Sequence, residues 1–214
     1  MMHLDLSMHA VTPFIGWVKA HPFASLGLTF IISFAESLAV IGSLVPGSVM
    51  MTLVGMLAGA GAMRIDLTLI CATLGAIAGD GGSYLIGFTF SERLNSMWPF
   101  KRYPKWLNYG EDYFKRHGGK SIFLGRFIGP LRSIIPVIAG MMRMNTRQFF
   151  ISNSLSAIAW SIVYVGPGIL IGTASADYAK DNTAEIILFT FSLLSLIWLI
   201  SLIIRLIFSR KHHK

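Results

Sequence analysis

The sequence predicts an all-α integral membrane protein, and three observations carry that prediction. The 214-residue chain is 54% apolar and only 13% charged, with a mean hydropathy of +0.63. About a quarter of a soluble domain's residues are charged, because water-facing surface needs charge and lipid-facing surface excludes it. Long apolar runs reach the roughly 20 residues a helix needs to cross hydrocarbon. Two further apolar runs are broken by proline and glycine. The expected architecture is a single membrane domain, 1–214: an inverted repeat of a re-entrant helical hairpin plus a transmembrane helix. An interfacial helix and a C-terminal transmembrane helix complete it.

Residues 1–22 read as an N-terminal interfacial segment. They lack a basic stretch followed by a short apolar core and cleavage site, so no removable signal peptide is expected. Residues 23–61 are apolar but too long for one span, and Val45-Pro46-Gly47-Ser48 lies near their middle. Residues 67–90 are long enough to cross, with Asp80 as their only charge. Residues 92–120 hold seven Lys/Arg and three Asp/Glu. Trp98–His117 interleaves those cations with aromatic rings, the composition of a helix lying in the headgroup region.

Residues 121–142 carry Arg126, Arg132, Pro130 and Pro136 within a few turns. Proline removes an amide donor and clashes with the preceding turn, so neither this region nor 23–61 forms one regular helix. Either could be a kinked span; a helix-break-helix hairpin is the expected form, with irregular backbone shielded by protein or a wet cavity. The predicted breaks are Pro46-Gly47 in the first and Gly129, Pro130 and Pro136 in the second. Residues 149–172 and 186–208 are the remaining spans, and Arg205 in the latter can snorkel to the interface.

Charge gives the orientation. With 92–120 in the cytoplasm, a hairpin at 121–142 returns to the same side, near Arg143 and Arg147. Two crossings then bring Arg205, Arg210, Lys211 and Lys214 back to the cytoplasm and leave the acidic stretch 174–185 outside, as the positive-inside rule requires. Cations placed beside spans rather than on a soluble face argue against a nucleic-acid partner, despite a net charge of +8. The single cysteine, Cys71, excludes an internal disulfide and reads as a small buried apolar side chain.

The halves echo each other. Each has a broken segment, an Ala-Gly pair (Ala58-Gly59; Ala139-Gly140) and a span ending in Ile-Gly (Ile86-Gly87; Ile171-Gly172). Inverted repeats with discontinuous helices are a transporter pattern, with the site near the midplane.

Four ionisable residues fall where hydrocarbon is expected: Glu36, Asp80, Arg126 and Arg132. Each costs at least ~2.5–3.5 kcal/mol at the bilayer centre unless it meets a partner or water. They could form structural carboxylate–arginine pairs. Alternatively, the arginines bind a phosphate-bearing anion, which guanidinium matches with a planar fork of donors, while Glu36 or Asp80 takes up a proton. Asp80, among Gly79, Gly81 and Gly82, could instead make a helix-packing hydrogen bond. No metal or other cofactor is expected.

These residues also carry a resemblance. Phe34-Ala35-Glu36-Ser37, Val45-Pro46-Gly47-Ser48, Gly79-Asp80 with Tyr84 and Gly87, and Gly125-Arg126-Phe127-Ile128-Gly129-Pro130-Leu131-Arg132 with Pro136 and Ala139-Gly140 resemble the DedA family. This is the bacterial branch of the SNARE-associated or VTT membrane domain, and the resemblance covers residues 20–175. It implies a multi-pass protein of the bacterial cytoplasmic membrane with two opposed re-entrant hairpins. Its implied role is proton-motive-force-dependent movement of undecaprenyl phosphate or a phospholipid, in support of envelope integrity. It maps the family's membrane acid onto Glu36 and its hairpin arginines onto Arg126 and Arg132. Many members have an acid directly after the first Pro-Gly, where this chain has Ser48.

The alternatives are a proton-coupled carrier of small solutes or ions, a scaffold, and an enzyme acting on lipid phosphate. Phosphatases of the histidine type need a nucleophilic and a second histidine. All six histidines here are terminal or in loops, and no Ser-Gly-His occurs, so no enzymatic activity is expected. The expected partner is a membrane lipid, and the sequence does not fix the oligomeric state.

Overall fold

The computed structural model describes residues 13, 15–38, 47–91, 104–128, 132 and 134–178, nearly all of them in helices, turns or bends. The helices are α1 (Pro22–Ser37), α2 (Gly47–Gly59), α3 (Ile65–Thr89), α4 (Pro104–His117), α5 (Lys120–Gly125), α6 (Ile135–Met141) and α7 (Thr146–Tyr178). Among the described residues, α3 and α7 are long and apolar enough to cross a membrane. At 1.5 Å per residue, the 25 residues of α3 and 33 of α7 reach about 37 and 50 Å. Both exceed the roughly 30 Å hydrocarbon slab.

Each broken segment supplies two arms. In the first half α1 packs on α3, the span that follows it, while α2 packs on α7. In the second half α5 packs on α7, again the following span, while α6 packs on α3. The second arms are thus exchanged between halves.

Small residues permit these crossings. Gly55 and Gly59 of α2 mesh with Gly168 and Gly172 of α7, and a Cβ on any of the four would run into the other helix's carbonyl oxygens. Gly140 of α6 and Gly87 of α3 do the same against the carbonyls of Tyr84 and Val137, respectively. The echoing glycines noted in the sequence, Gly59 with Gly172 and Gly140 with Gly87, are the residues on which the exchanged arms rest. Gly75 and Gly79 let the carbonyls of Phe30 and Phe34 of α1 approach α3 in the same way. Glycines four apart on facing helices are the usual solution in lipid, where close van der Waals contact drives association.

On α1 the polarity is inverted relative to a helix of a soluble bundle. On α1 the buried residues are Ser25, Thr29, Ser33, Glu36 and Ser37, a stripe at helical spacing. Ser33 Oγ donates to Ala72 O at 2.6 Å across the α1–α3 seam. Outside, Ile70, Leu74 and Leu85 of α3 and Ile151, Leu155, Ile158, Ile162 and Leu170 of α7 are exposed, the surface expected against acyl chains.

Several sequence expectations are corrected. The predicted spans are lengthened: α3 begins at Ile65, and α7 starts at Thr146 and runs beyond 172. Pro136 breaks nothing. It lies in the first turn of α6, where a missing amide costs no helical bond. Gly47 is the first residue of α2; Pro46, Gly129 and Pro130 lie outside the described residues, as do Ser48's side-chain surroundings, the span at 186–208 and the basic C-terminus. Cys71 is half-buried rather than buried. Within the proposed interfacial stretch, α4 docks on protein: Phe114 packs on Ile134, Val137 and Ile138, and Tyr113 on the cluster of Tyr84, Ile135 and Phe149.

The second arms end alike. After α2, Gly61 N–H bonds Ala58 O and Ala62 N–H bonds Leu57 O; after α6, Arg143 N–H bonds Gly140 O and Met144 N–H bonds Ala139 O. Both are Schellman closures, which need a left-handed residue. Gly61 supplies it with φ +74°, and Arg143 supplies it with φ +51°. Glycine takes that conformation freely, whereas arginine does so at a cost. The Arg143 guanidinium lies 5.5 Å from the Phe88 ring centroid.

Candidate functional site

The four predicted membrane charges converge as two crossed ion pairs. Arg126 follows directly on α5, whose Gly125 lies against the side chain of Ile135. Its Nη2 donates to Asp80 Oδ2 of α3. This pair is deeply buried, with side chains 3% and 5% exposed. The guanidinium also approaches Ala76 O and Asn153 O, each at 3.5 Å. Asp80 therefore holds an arginine, and the helix-packing hydrogen bond considered for it is replaced by an ion pair.

Arg132, beyond the break, donates from Nη1 to Glu36 Oε1 near the end of α1. Glu36 is 2% exposed and Arg132 16%. The pairing links the end of the first arm in one half to the broken segment of the other. Glu36 occupies the interior end of the Ser/Thr stripe, so the helical spacing that buries Ser25, Thr29 and Ser33 also buries it.

Trp160 of α7 sits beneath both pairs. The Cζ atoms of Arg132 and Arg126 lie 4.7 and 6.0 Å from its ring centroid, within range of attraction to the ring face. It is fully buried, with Ala72, Ala76 and Ala157 around it. Sequence reasoning passed over Trp160 and Asn153. The available signal was polarity: Asn153 is an amide within an apolar span, and a tryptophan midway along a span lies away from the interfacial belt that usually holds that residue.

The two pairs differ in how fully their polar atoms are used. Arg132 Nε and Nη2, Glu36 Oε2, Ser37 Oγ, Asn153 Oδ1 and Trp160 Nε1 are buried without a hydrogen-bond partner among the described residues. Each such atom carries a desolvation cost of about 1–3 kcal/mol. Arg126 contributes nothing to that set; Arg132 contributes twice. The Asp80–Arg126 pair is the closed one and the Glu36–Arg132 pair the open one. Together they balance two carboxylates against two guanidiniums, so the cluster is neutral when all four groups are ionised.

Comparisons with known proteins agree with the membrane reading. The VTT domain family profile matches residues 45–170, a range that includes Asp80, Arg126, Arg132 and Trp160 but not Glu36. An uncharacterised membrane protein of Buchnera aphidicola subsp. Acyrthosiphon pisum is 37% identical over 150 residues, 70% of this chain and 59% of that protein. The inner membrane protein YabI of Escherichia coli K12 is 33% identical over 151 residues, 70% of this chain and 59% of YabI. Protein DedA of the same strain is 29% identical over 186 residues, 85% of this chain and 81% of DedA. The chain thus spans less than two thirds of the length of several relatives it matches. No solved structure matches it. With the family profile covering more than half of the sequence, and relatives that include YabI and DedA, the chain is a membrane protein that belongs to the DedA family of VTT-domain proteins.

Proposed function

We propose that this protein moves a phosphate-bearing lipid, undecaprenyl phosphate or a phospholipid, across the cytoplasmic membrane in exchange for proton movement, and is not an enzyme. The observation that carries the reading is the open pair. Arg132 is held by Glu36 through one nitrogen, while its Nε and Nη2 are buried with no partner among the described residues. A lipid phosphate offers acceptor oxygens to that fork. Binding it would add negative charge to a neutral cluster in a medium that penalises unpaired charge. Protonation of Glu36 as it leaves Arg132 offsets one unit of that charge and couples the two movements.

The architecture supports this reading. The exchanged second arms and their matching Schellman closures fit two re-entrant hairpins of an inverted repeat, opening to opposite faces. On that arrangement the protein is multi-pass, α4 lies on the cytoplasmic side, and the C-terminus is cytoplasmic.

Proteoliposomes holding labelled undecaprenyl phosphate or phospholipid test the proposal. Arg132→Ala is expected to reduce translocation to the protein-free background while the variant still inserts. Translocation at the wild-type rate would overturn the reading. Uptake of a lipid-free solute, with no lipid movement, would assign the site to a small-solute carrier instead.

A further inference from the structure

Among the described residues Trp160 lies against the arginines of both ion pairs, and nothing in the transport reading so far uses it. The ring face supports the Arg132 guanidinium at 4.7 Å. The indole nitrogen is a donor only, and it is buried without a partner among the described residues. Buried tryptophan N–H groups usually find an acceptor.

The cluster holds further unpaired donors. Arg132 Nε and Nη2 carry three unpaired N–H between them, and Ser37 Oγ, next to Glu36 on α1, is a further buried hydroxyl without a partner among the described residues. The unpaired acceptors in the same cluster are Glu36 Oε2 and Asn153 Oδ1. Arg132 and Trp160, stacked at 4.7 Å, thus bring four unpaired donor hydrogens together. A tetrahedral oxyanion, which only accepts, can take several of them at once.

We infer that Trp160 is a binding residue of this site: its indole N–H donates to an oxygen of a tetrahedral phosphate group, while its ring face positions Arg132 to grip the same group once Glu36 lets go. This rests on the transport reading and deepens it. The ligand chemistry is a phosphate oxyanion, carried either by a lipid headgroup or by free phosphate.

The test uses the full chain in nanodiscs, with tryptophans replaced by 5-fluorotryptophan and the Trp160 ¹⁹F resonance assigned through Trp160→Phe. Polyprenyl monophosphate and inorganic phosphate are titrated separately. The Trp160 resonance should move on addition of the lipid phosphate and stay fixed in Arg132→Ala. Movement with inorganic phosphate as well assigns recognition to the phosphate alone; movement with the lipid only assigns it to the whole headgroup and chain. Trp160→Phe, which keeps a ring but loses the N–H, should weaken lipid-phosphate affinity roughly tenfold, as expected for one lost hydrogen bond to a charged group. Its thermal midpoint should stay close to that of wild type.

An unmoved Trp160 resonance, or wild-type affinity in Trp160→Phe while Arg132→Ala abolishes binding, overturns the role of Trp160 and leaves the transport reading intact. Unchanged binding in Arg132→Ala removes both. The titration shift is read in the wild-type fold, and the thermal midpoint of Trp160→Phe checks that the variant used for assignment keeps that fold.

Discussion

Asp80 and Arg126 form an ion pair between α3 and the residue that follows α5, with both side chains almost wholly withdrawn from the surface. A pair this deep gains its Coulomb energy against a large desolvation cost, so its net contribution is small while the cost of breaking it is not. Arg126→Ala should therefore lower stability by about 3–5 kcal/mol, because it strands a buried carboxylate. The Asp80→Ala/Arg126→Ala double variant should recover much of that loss. Thermal unfolding in detergent across the double-mutant cycle measures the coupling. Additive single losses would show that the two side chains act independently.

Glu36→Gln leaves the shape of the open pair nearly unchanged but removes the negative charge that competes for Arg132. Lipid-phosphate affinity should rise roughly tenfold, equivalent to about 1.4 kcal/mol. Transport should lose its dependence on an imposed proton gradient, which proteoliposomes held at fixed and stepped pH would report. Retained gradient dependence would place the proton elsewhere.

The glycine crossings predict a sharp contrast among substitutions of one residue type. Gly59→Ala and Gly172→Ala each place a methyl group against the backbone of the facing helix, where neither side can yield without moving a whole helix. Each should destabilise by at least about 1–3 kcal/mol. Gly27→Ala, in the middle of α1 with open space where its Cβ would lie, should instead stabilise by about 0.5–1 kcal/mol. Unfolding midpoints in one detergent separate these outcomes.

The two Schellman closures give a fourth contrast. Gly61→Ala forces a methyl-bearing residue into φ +74° and should cost about 1–2 kcal/mol. Arg143→Gly relieves a similar strain but gives up the stacking on Phe88, worth about 0.5–1 kcal/mol at an exposed site. It should change stability by less than about 1 kcal/mol. A large loss for Arg143→Gly would mean that the guanidinium has a further partner.

How much of this was legible in the sequence depends on the length scale of the cause. The membrane solvent, the four buried charges and the two broken segments follow from composition and local rules, because proline and charge act within a turn or two of where they sit. Partner choice does not. Asp80 and Glu36 are each within reach of an arginine in the sequence pattern, but which carboxylate meets which guanidinium depends on how the second arms cross. That crossing was written in Gly55-Met56-Leu57-Ala58-Gly59 and Gly168-Ile169-Leu170-Ile171-Gly172, a spacing that marks close helix approach without saying which helix approaches. Pro136 was misplaced for the opposite reason: the residue is disruptive inside a helix and benign in its first turn, and nothing in its neighbours fixes where α6 begins. Trp160 escaped notice because a lone aromatic in an apolar run looks like any other core side chain until two guanidiniums are set over its face.

The pairing of Glu36 with Arg132 across 96 residues reaches beyond the finished molecule, into its making. Ribosomes add about 5–20 residues per second, so roughly 5–20 s separate the emergence of the acid from that of its base. The exchange of second arms extends the same interval to α2, whose seat on α7 is translated later still. The first half is therefore made before the partners of its acid and of its glycine face exist.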